Sequence, residues 1–273
     1  RMDGTDDGPL RWGLILSAAM VQVVAGAVYS MGAWQAPLRD GLGVSTEAIS
    51  FVGATTFIGS VAAMLGGRAF DRLGPKTSVL LGGGLATCGY VLLALALVST
   101  GLPSSLKLLL AASGSLAAGY ASVSLLDNVV CMACSLSFPR DRAAIVGYLK
   151  AVLATAAGMW ATLWTHVFAP LAARGGPGLL SFLGLMAAAT LVVSVAASRH
   201  VGVLPVGPSR RELGRADKRR LGGAIGLAVA LALTTVCISF FYSKGSLPPT
   251  PAAGLATAAL ALLPLALLPC GGR

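Results

Sequence analysis

Charged side chains are scarce in this sequence. Only 11% of its 273 residues are Asp, Glu, Lys or Arg, where an ordinary soluble domain carries about 25%. A water-facing shell around one core is excluded as the main organisation. Histidine is nearly absent, at His166 and His200, and Asn128 is the sole asparagine. With these shortages the sequence shows no metal-ligand cluster, nucleophile elbow, Gly-rich nucleotide loop or glycosylation sequon, so neither an enzyme nor a metal or other cofactor is expected. The cysteines are equally uninformative. Cys131 and Cys134 have the spacing of a redox motif but sit in an apolar run with no second pair, which reads as small-residue packing, and Cys88, Cys237 and Cys270 form no pattern.

What fills the chain instead is apolar sequence, 56% of residues, in runs long enough to cross a bilayer as helices with their backbone groups satisfied. The expected class is all-α transmembrane. Spans are placed at Trp12 to Ala36, Glu47 to Gly67, Thr77 to Val98, Leu106 to Phe138, Ala143 to Phe168, Gly178 to Ser198 and Leu221 to Tyr242. An eighth, Ala252 to Cys270, is left open because it contains Pro264 and Pro269. The first run is longer than the apolar region of a signal peptide and is followed by further spans, so it is read as a span. Arg1 in place of Met suggests a fragment, or a chain lacking its true start.

The net charge of +10 raises the question of a nucleic-acid partner, and the placement of the basic residues answers it. Arg1, Arg11, Arg68, Arg72, Lys76, Arg140, Arg142, Arg199, Arg210, Arg211, Arg215, Lys218, Arg219 and Arg220 fall on one side of the threaded chain. Arg39, Lys107, Arg174 and Lys244 fall on the other. That asymmetry is the positive-inside pattern, so no nucleic acid is expected, and the amino terminus and the 199–220 linker are expected to be cytoplasmic. The basic linker also suits anionic lipid, although a topology anchor and hinge is its simpler role. Trp12, Trp34, Trp160 and Trp164 near span ends are expected to anchor at the membrane interface.

The loop after the second run reads Gly67-Arg68-Ala69-Phe70-Asp71-Arg72-Leu73-Gly74-Pro75-Lys76. Gly67 would allow close helix approach, and Gly74 with Pro75 would make a tight turn. A P-loop is excluded, since Ala69 stands where its first glycine is required. The stretch resembles G-x-x-x-D-R-x-G-x-K, the signature between the second and third helices of the major facilitator superfamily. The resemblance implies a gating role for Gly67, Asp71, Arg72, Gly74 and Lys76, with Arg142 on the same side, through charge pairing between two helical bundles.

A second stretch, Phe138-Pro139-Arg140-Asp141-Arg142 followed by Val146-Gly147-Tyr148-Leu149-Lys150, resembles the nodulin-like branch of that superfamily, where F-P-x-x-R and V-G-x-x-K join the fourth and fifth helices. Gly26 to Gly32, with Leu38 and Leu42-Gly43, is similar to its opening helix. The likeness covers residues 11 to 200. The Asp-Arg-Leu-Gly-Pro-Lys loop is closer to carriers of the oxalate/formate and monocarboxylate type. The resemblance implies a six-span bundle over 1–198, the linker over 199–220, and over 221–273 the start of a second bundle that is incomplete against the twelve spans of the family.

Asp127 is the one carboxylate well inside a span and Lys150 the one cation. Such groups cost a few kcal/mol to insert, so they face a partner or a cavity. Counted from the turn near Arg140 at 1.5 Å per residue, they lie about 20 Å and about 15 Å along consecutive helices, a difference that a lysine can span. Two readings stay open: a structural ion pair, or a site in which Lys150 meets an anionic solute while Asp127 takes up a proton or opposes the charge. Lys150 matches the lysine of the nodulin-like pattern; Asp127 falls where that family more often has a neutral polar residue. Gln22, Tyr29, Tyr120 and Asn128 are the other polar groups that could line a cavity, or form ordinary interhelical hydrogen bonds.

The expected function is movement of a small solute, such as an organic anion of the monocarboxylate kind, by alternating access, with a coupled proton as a further candidate. The rival is a receptor or scaffold that does not transport, or an incomplete transporter fragment. Partners are the solute, the lipid bilayer, and either a second copy or a missing second bundle.

Overall fold

The computed structural model describes residues 8–202, 218–227 and 230. Among them every regular element is helical and no strand occurs. The α-helices are α1 (Gly8–Ala25), α2 (Met31–Leu42), α3 (Thr46–Val61), α4 (Ala63–Val98), α5 (Ser104–Tyr120), α6 (Asn128–Ser137), α7 (Arg142–Leu163), α8 (Ala169–Ala173) and α9 (Gly178–Ala197). Tighter and wider turns join some of them without a break. A 3-10 segment, Gly26–Ser30, links α1 to α2, and π-segments Ala121–Asp127 and Trp164–Phe168 link α5 to α6 and α7 to α8. Five of the resulting helices are long and apolar enough to cross a membrane: Trp12–Leu42, Met64–Val98, Ser104–Ser137, Arg142–Ala173 and Gly178–Ala197. The chain is an integral membrane protein of the all-α class.

The region expected to hold a second span, a tight turn at Gly74 and Pro75 and a third span is helical on both sides of Gly74. α3 has 16 residues and ends at Val61; Ala62, with φ of −77° and ψ of 17°, separates it from α4. α4 consists of two helices that meet at Gly74, where the backbone (φ 76°, ψ 166°) leaves the helical region. That backbone conformation is essentially confined to glycine, and Pro75 next to it has no N–H to lose. The turn between the second and third apolar runs is therefore made at Gly74 and Pro75.

Small residues set the packing, as expected where lipid is as apolar as leucine and helices associate through close approach. Thr55 Oγ1 donates to the Ala112 carbonyl at 3.2 Å, Thr56 hydrogen-bonds Ser115, Gly59 abuts the Leu116 and Tyr120 backbone, and Gly66 abuts the Ser124 carbonyl. Numbers rise together along both partners, so α3 and the front of α4 run parallel to α5 and its π-segment. The rear of α4 runs the other way, with Gly82 against Leu125 and Leu126, and Gly89 against Gly114 and Ala118. Gly114, against the Gly89 carbonyl, and Gly119, against the Thr56 carbonyl, thus make close helix contacts. Gly67 and Gly147 do not, since a methyl group at either would meet nothing within 4 Å. The close approach expected of Gly67 belongs to Gly66, one residue and about 100° round the helix.

The tryptophans also depart from expectation. Trp34, Trp160 and Trp164 are buried around Phe182, with ring centroids 6.3, 6.1 and 5.4 Å from it, and Phe168 closes the cluster at 5.2 Å. Trp160 Nε1 donates to the Val23 carbonyl at 2.9 Å, and Trp34 Nε1 to Ser30 Oγ at 3.2 Å. With both N–H groups satisfied inside the protein, these rings tie helices together instead of facing the membrane interface.

Residues 218–227 are helical, and Leu221 and Ala224 are buried against the rest of the fold. Most of the 199–220 linker, most of the expected span over 221–242 and all of that over 252–270 lie outside the described residues.

Candidate functional site

The site forms where α1, α7 and the junction between the first π-segment and α6 meet. A π-turn admits an extra residue and shifts the register of every side chain after it. Asp127 is the last residue of Ala121–Asp127, where that shift is complete. On α7, Lys150 lies two turns in from the start at Arg142. Lys150 Nζ donates to Asp127 Oδ1 and Oδ2, each at 2.6 Å. The expected proximity of the two is thus realised as a two-oxygen ion pair.

Gln22, from α1, completes the arrangement. Its Nε2 donates to Asp127 Oδ1 at 2.8 Å and to Cys131 Sγ at 3.3 Å, and the Cys131 thiol lies 3.5 Å from the same Oδ1. Gln22 is fully buried, and its Oε1 meets no donor among the described residues. A carboxylate only accepts, so the amide must turn its NH2 end toward Asp127. Asp127 is buried while the Lys150 side chain is 46% exposed. The carboxylate is thus held from behind by buried donors and faced from the open side by the ammonium.

Among the other expected lining residues, Tyr29 is exposed, its ring tilted against that of Phe57 with centroids 6.5 Å apart. The 3-10 segment turns it outward: Gly26 packs on the Leu153 carbonyl and Ala156, and Ser30 Oγ donates to the Ala27 carbonyl at 2.7 Å. Asn128 and Tyr120 are half-buried and make no side-chain hydrogen bond among the described residues. Tyr120 lies at the far end of the π-segment from Asp127.

Cys131 was missed. Its spacing from Cys134 drew attention away from its spacing from Asp127, which is i, i+4 and puts both on one helix face.

The residues expected to gate form a separate group. Asp71, Arg72 and Lys76 are exposed around the Gly74 break and make no ion pair among the described residues. Ser78 Oγ donates to the Gly74 carbonyl at 2.8 Å. Arg142 is exposed at the start of α7. Beside it Asp141, unremarked in the sequence, is buried and pairs with Lys218 at 3.0 Å.

Residues 11–269 match the family model described as Nodulin-like. The chain belongs to the Nodulin-like family. The match reaches well past residue 200, the limit of the likeness read from the motifs, and takes in most of the chain. No curated protein matches the chain. Within this Nodulin-like chain, Lys150 and the Gly26–Ser30 turn fall inside the stretches that carried the resemblance, whereas Asp127, Gln22 and Cys131 fall outside the quoted motifs.

Proposed function

We propose that the chain is a carrier of the major facilitator kind that moves a small organic anion, such as a monocarboxylate, across its membrane by alternating access. Lys150 is the solute-binding cation and Asp127 its resident counter-charge. The observation that carries this reading is the unequal exposure of the pair: a lysine side chain 46% exposed over an aspartate side chain 4% exposed. An anion arriving from the open side meets Lys150 first, and an intramembrane ion pair with one accessible member is a natural point of exchange. Tyr29, exposed beside it, is placed to contact the same solute. The basic turn around Gly74, with the amino terminus and the 199–220 linker, is assigned to the cytoplasmic side, where Asp71 and Arg72 pair with a second bundle begun by residues 221–273 or supplied by a second copy.

A receptor or scaffold that does not transport is the second reading, favoured by the completeness with which Lys150 and Asp127 satisfy each other. Uptake of a labelled organic-anion panel into liposomes holding the purified chain tests both, with Lys150→Ala for comparison. Saturable uptake abolished by the substitution is expected. No uptake by correctly inserted protein would sink the carrier reading and leave the receptor.

A further inference from the structure

The donors around Asp127 are spread unevenly over its two oxygens. Oδ1 accepts from Gln22 Nε2 at 2.8 Å, from Lys150 Nζ at 2.6 Å and from the Cys131 thiol at 3.5 Å, whereas Oδ2 accepts, among the described residues, from Lys150 alone. Gln22 is fully buried and Cys131 nearly so, so neither lies where a solute meets Lys150.

We propose that Gln22 and Cys131 are positioning residues that hold Oδ1 as a standing acceptor and so make Oδ2 the atom that takes up a coupled proton. The inference rests on the reading of the pair as an anion site. A proton from water bonds to Oδ2 and Asp127 becomes neutral. Lys150 keeps its protons and its charge but loses its counter-anion. A solute carboxylate replaces it, accepting from Lys150 Nζ and from the new Oδ2–H. One proton and one monoanion enter together, so the net charge of the site is unchanged; on release the anion departs, Oδ2 returns its proton to water and the pair re-forms. Protonating Oδ1 instead would give up two buried donors, whose loss is the larger penalty. The substrate class that balances is a carboxylate carrying a single negative charge, because a dianion would leave one charge uncompensated in a low-dielectric site.

The groups facing Asp127 are few. Lys150 comes from α7, Gln22 from α1, Tyr29 from the 3-10 segment and Cys131 from α6. On the other helices packed nearby, Glu47 stands exposed at the start of α3, Arg68, Asp71, Arg72 and Lys76 lie around the α4 break, Lys107 is at the start of α5, and α9 has no charged residue.

The test is an infrared titration of the protonated carboxyl band of the full chain in lipid, without solute, the band being assigned by its loss in Asp127→Asn. Gln22→Leu removes a donor to the ionised form and is expected to move the midpoint upward by about one pH unit. Cys131→Ala removes a weaker donor and should move it upward by less. The pH profile of uptake should follow, with the solute KM at low pH changed by no more than about two-fold. An unmoved midpoint in the folded variants overturns the proposal, as does a raised KM with an unmoved midpoint, which would put Gln22 on the solute. If Gln22→Leu does not fold, Cys131→Ala and Gln22→Met decide the matter in the same way. Because the titration needs no solute, missing uptake counts against the carrier reading while the spectrum still judges this one.

Discussion

Lys150 Nζ stands 2.6 Å from both carboxylate oxygens of Asp127, yet the Lys150 side chain is 46% exposed and that of Asp127 4%. The two ends of this bond are therefore unequal in what they leave behind when broken. Removing Lys150 strands a buried negative charge, whereas removing Asp127 leaves an ammonium that water can reach. Lys150→Met should destabilise the protein toward the lower end of the about 3–5 kcal/mol seen for broken buried pairs. Asp127→Asn should cost clearly less, and Asp127→Asn with Lys150→Met should recover most of the loss. Thermal melting in detergent checks the order; equal losses from the two single changes would show that burial does not govern the pair.

Gly66 and Gly67 are neighbours with opposite surroundings. A methyl at Gly66 would collide with the Ser124 carbonyl and crowd its side chain, while one at Gly67 would meet nothing. Gly66→Ala must push α4 from the π-segment and should cost on the order of 1–3 kcal/mol, as overpacking does. Gly67→Ala should be neutral or slightly stabilising, because alanine is the better helix former. Melting of the two variants side by side decides it, and a destabilised Gly67→Ala with a silent Gly66→Ala would invert the assignment.

That pair also shows where the sequence was legible. Long apolar runs announce membrane helices without ambiguity, because nothing else in a chain needs so many consecutive apolar residues. Asp127 and Lys150 were legible as a possible pair from depth alone, since axial rise is fixed per residue. Which face a residue occupies is harder, because each non-α turn resets the angular register. The 3-10 segment Gly26–Ser30 and the π-segment Ala121–Asp127 both do so beside the site, and neither is marked by an apolar period. Cys131 therefore joined Asp127 without warning, Gln22 was legible only as a residue that lines a cavity or makes an interhelical hydrogen bond, and the contact expected of Gly67 is made by Gly66. The tryptophans misled for a different reason. Their positions near span ends suit an interface belt, but the partner that buries them, Phe182, comes from a distant part of the chain.

Phe182 is fully buried and touches the rings of Trp34, Trp160, Trp164 and Phe168, which come from α2, α7 and the second π-segment. Truncating it opens a cavity whose walls are rigid rings that cannot collapse inward. Phe182→Ala should cost about 3–5 kcal/mol, and Phe182→Leu considerably less. Trp160→Phe keeps much of the ring packing but leaves the Val23 carbonyl without its indole donor, a smaller loss of about 1–3 kcal/mol. Melting temperatures in that order would support the cluster as the clamp between these helices, and a Phe182→Ala variant as stable as the parent would refute it.

Asp141 and Lys218 form an ion pair at 3.0 Å that joins the helix at 218–227 to the start of α7. Exchanging the two charges tests what holds the acid in place. Asp141 occupies the N-cap position of α7, where the exposed N–H ends of the helix favour a negative charge by about 0.3–1 kcal/mol whatever Lys218 does. Arg140 and Arg142 flank it and favour the same sign. Lys218→Ala leaves a buried carboxylate that the helix end and the two arginines still face, so it should cost less than Lys150→Met. Asp141→Lys opposes the helix end and both arginines, so it should cost more, and adding Lys218→Asp should fail to restore it. Full recovery in the double exchange, read by melting in low salt, would mean that the ion pair alone positions Asp141 and that the helix end contributes nothing.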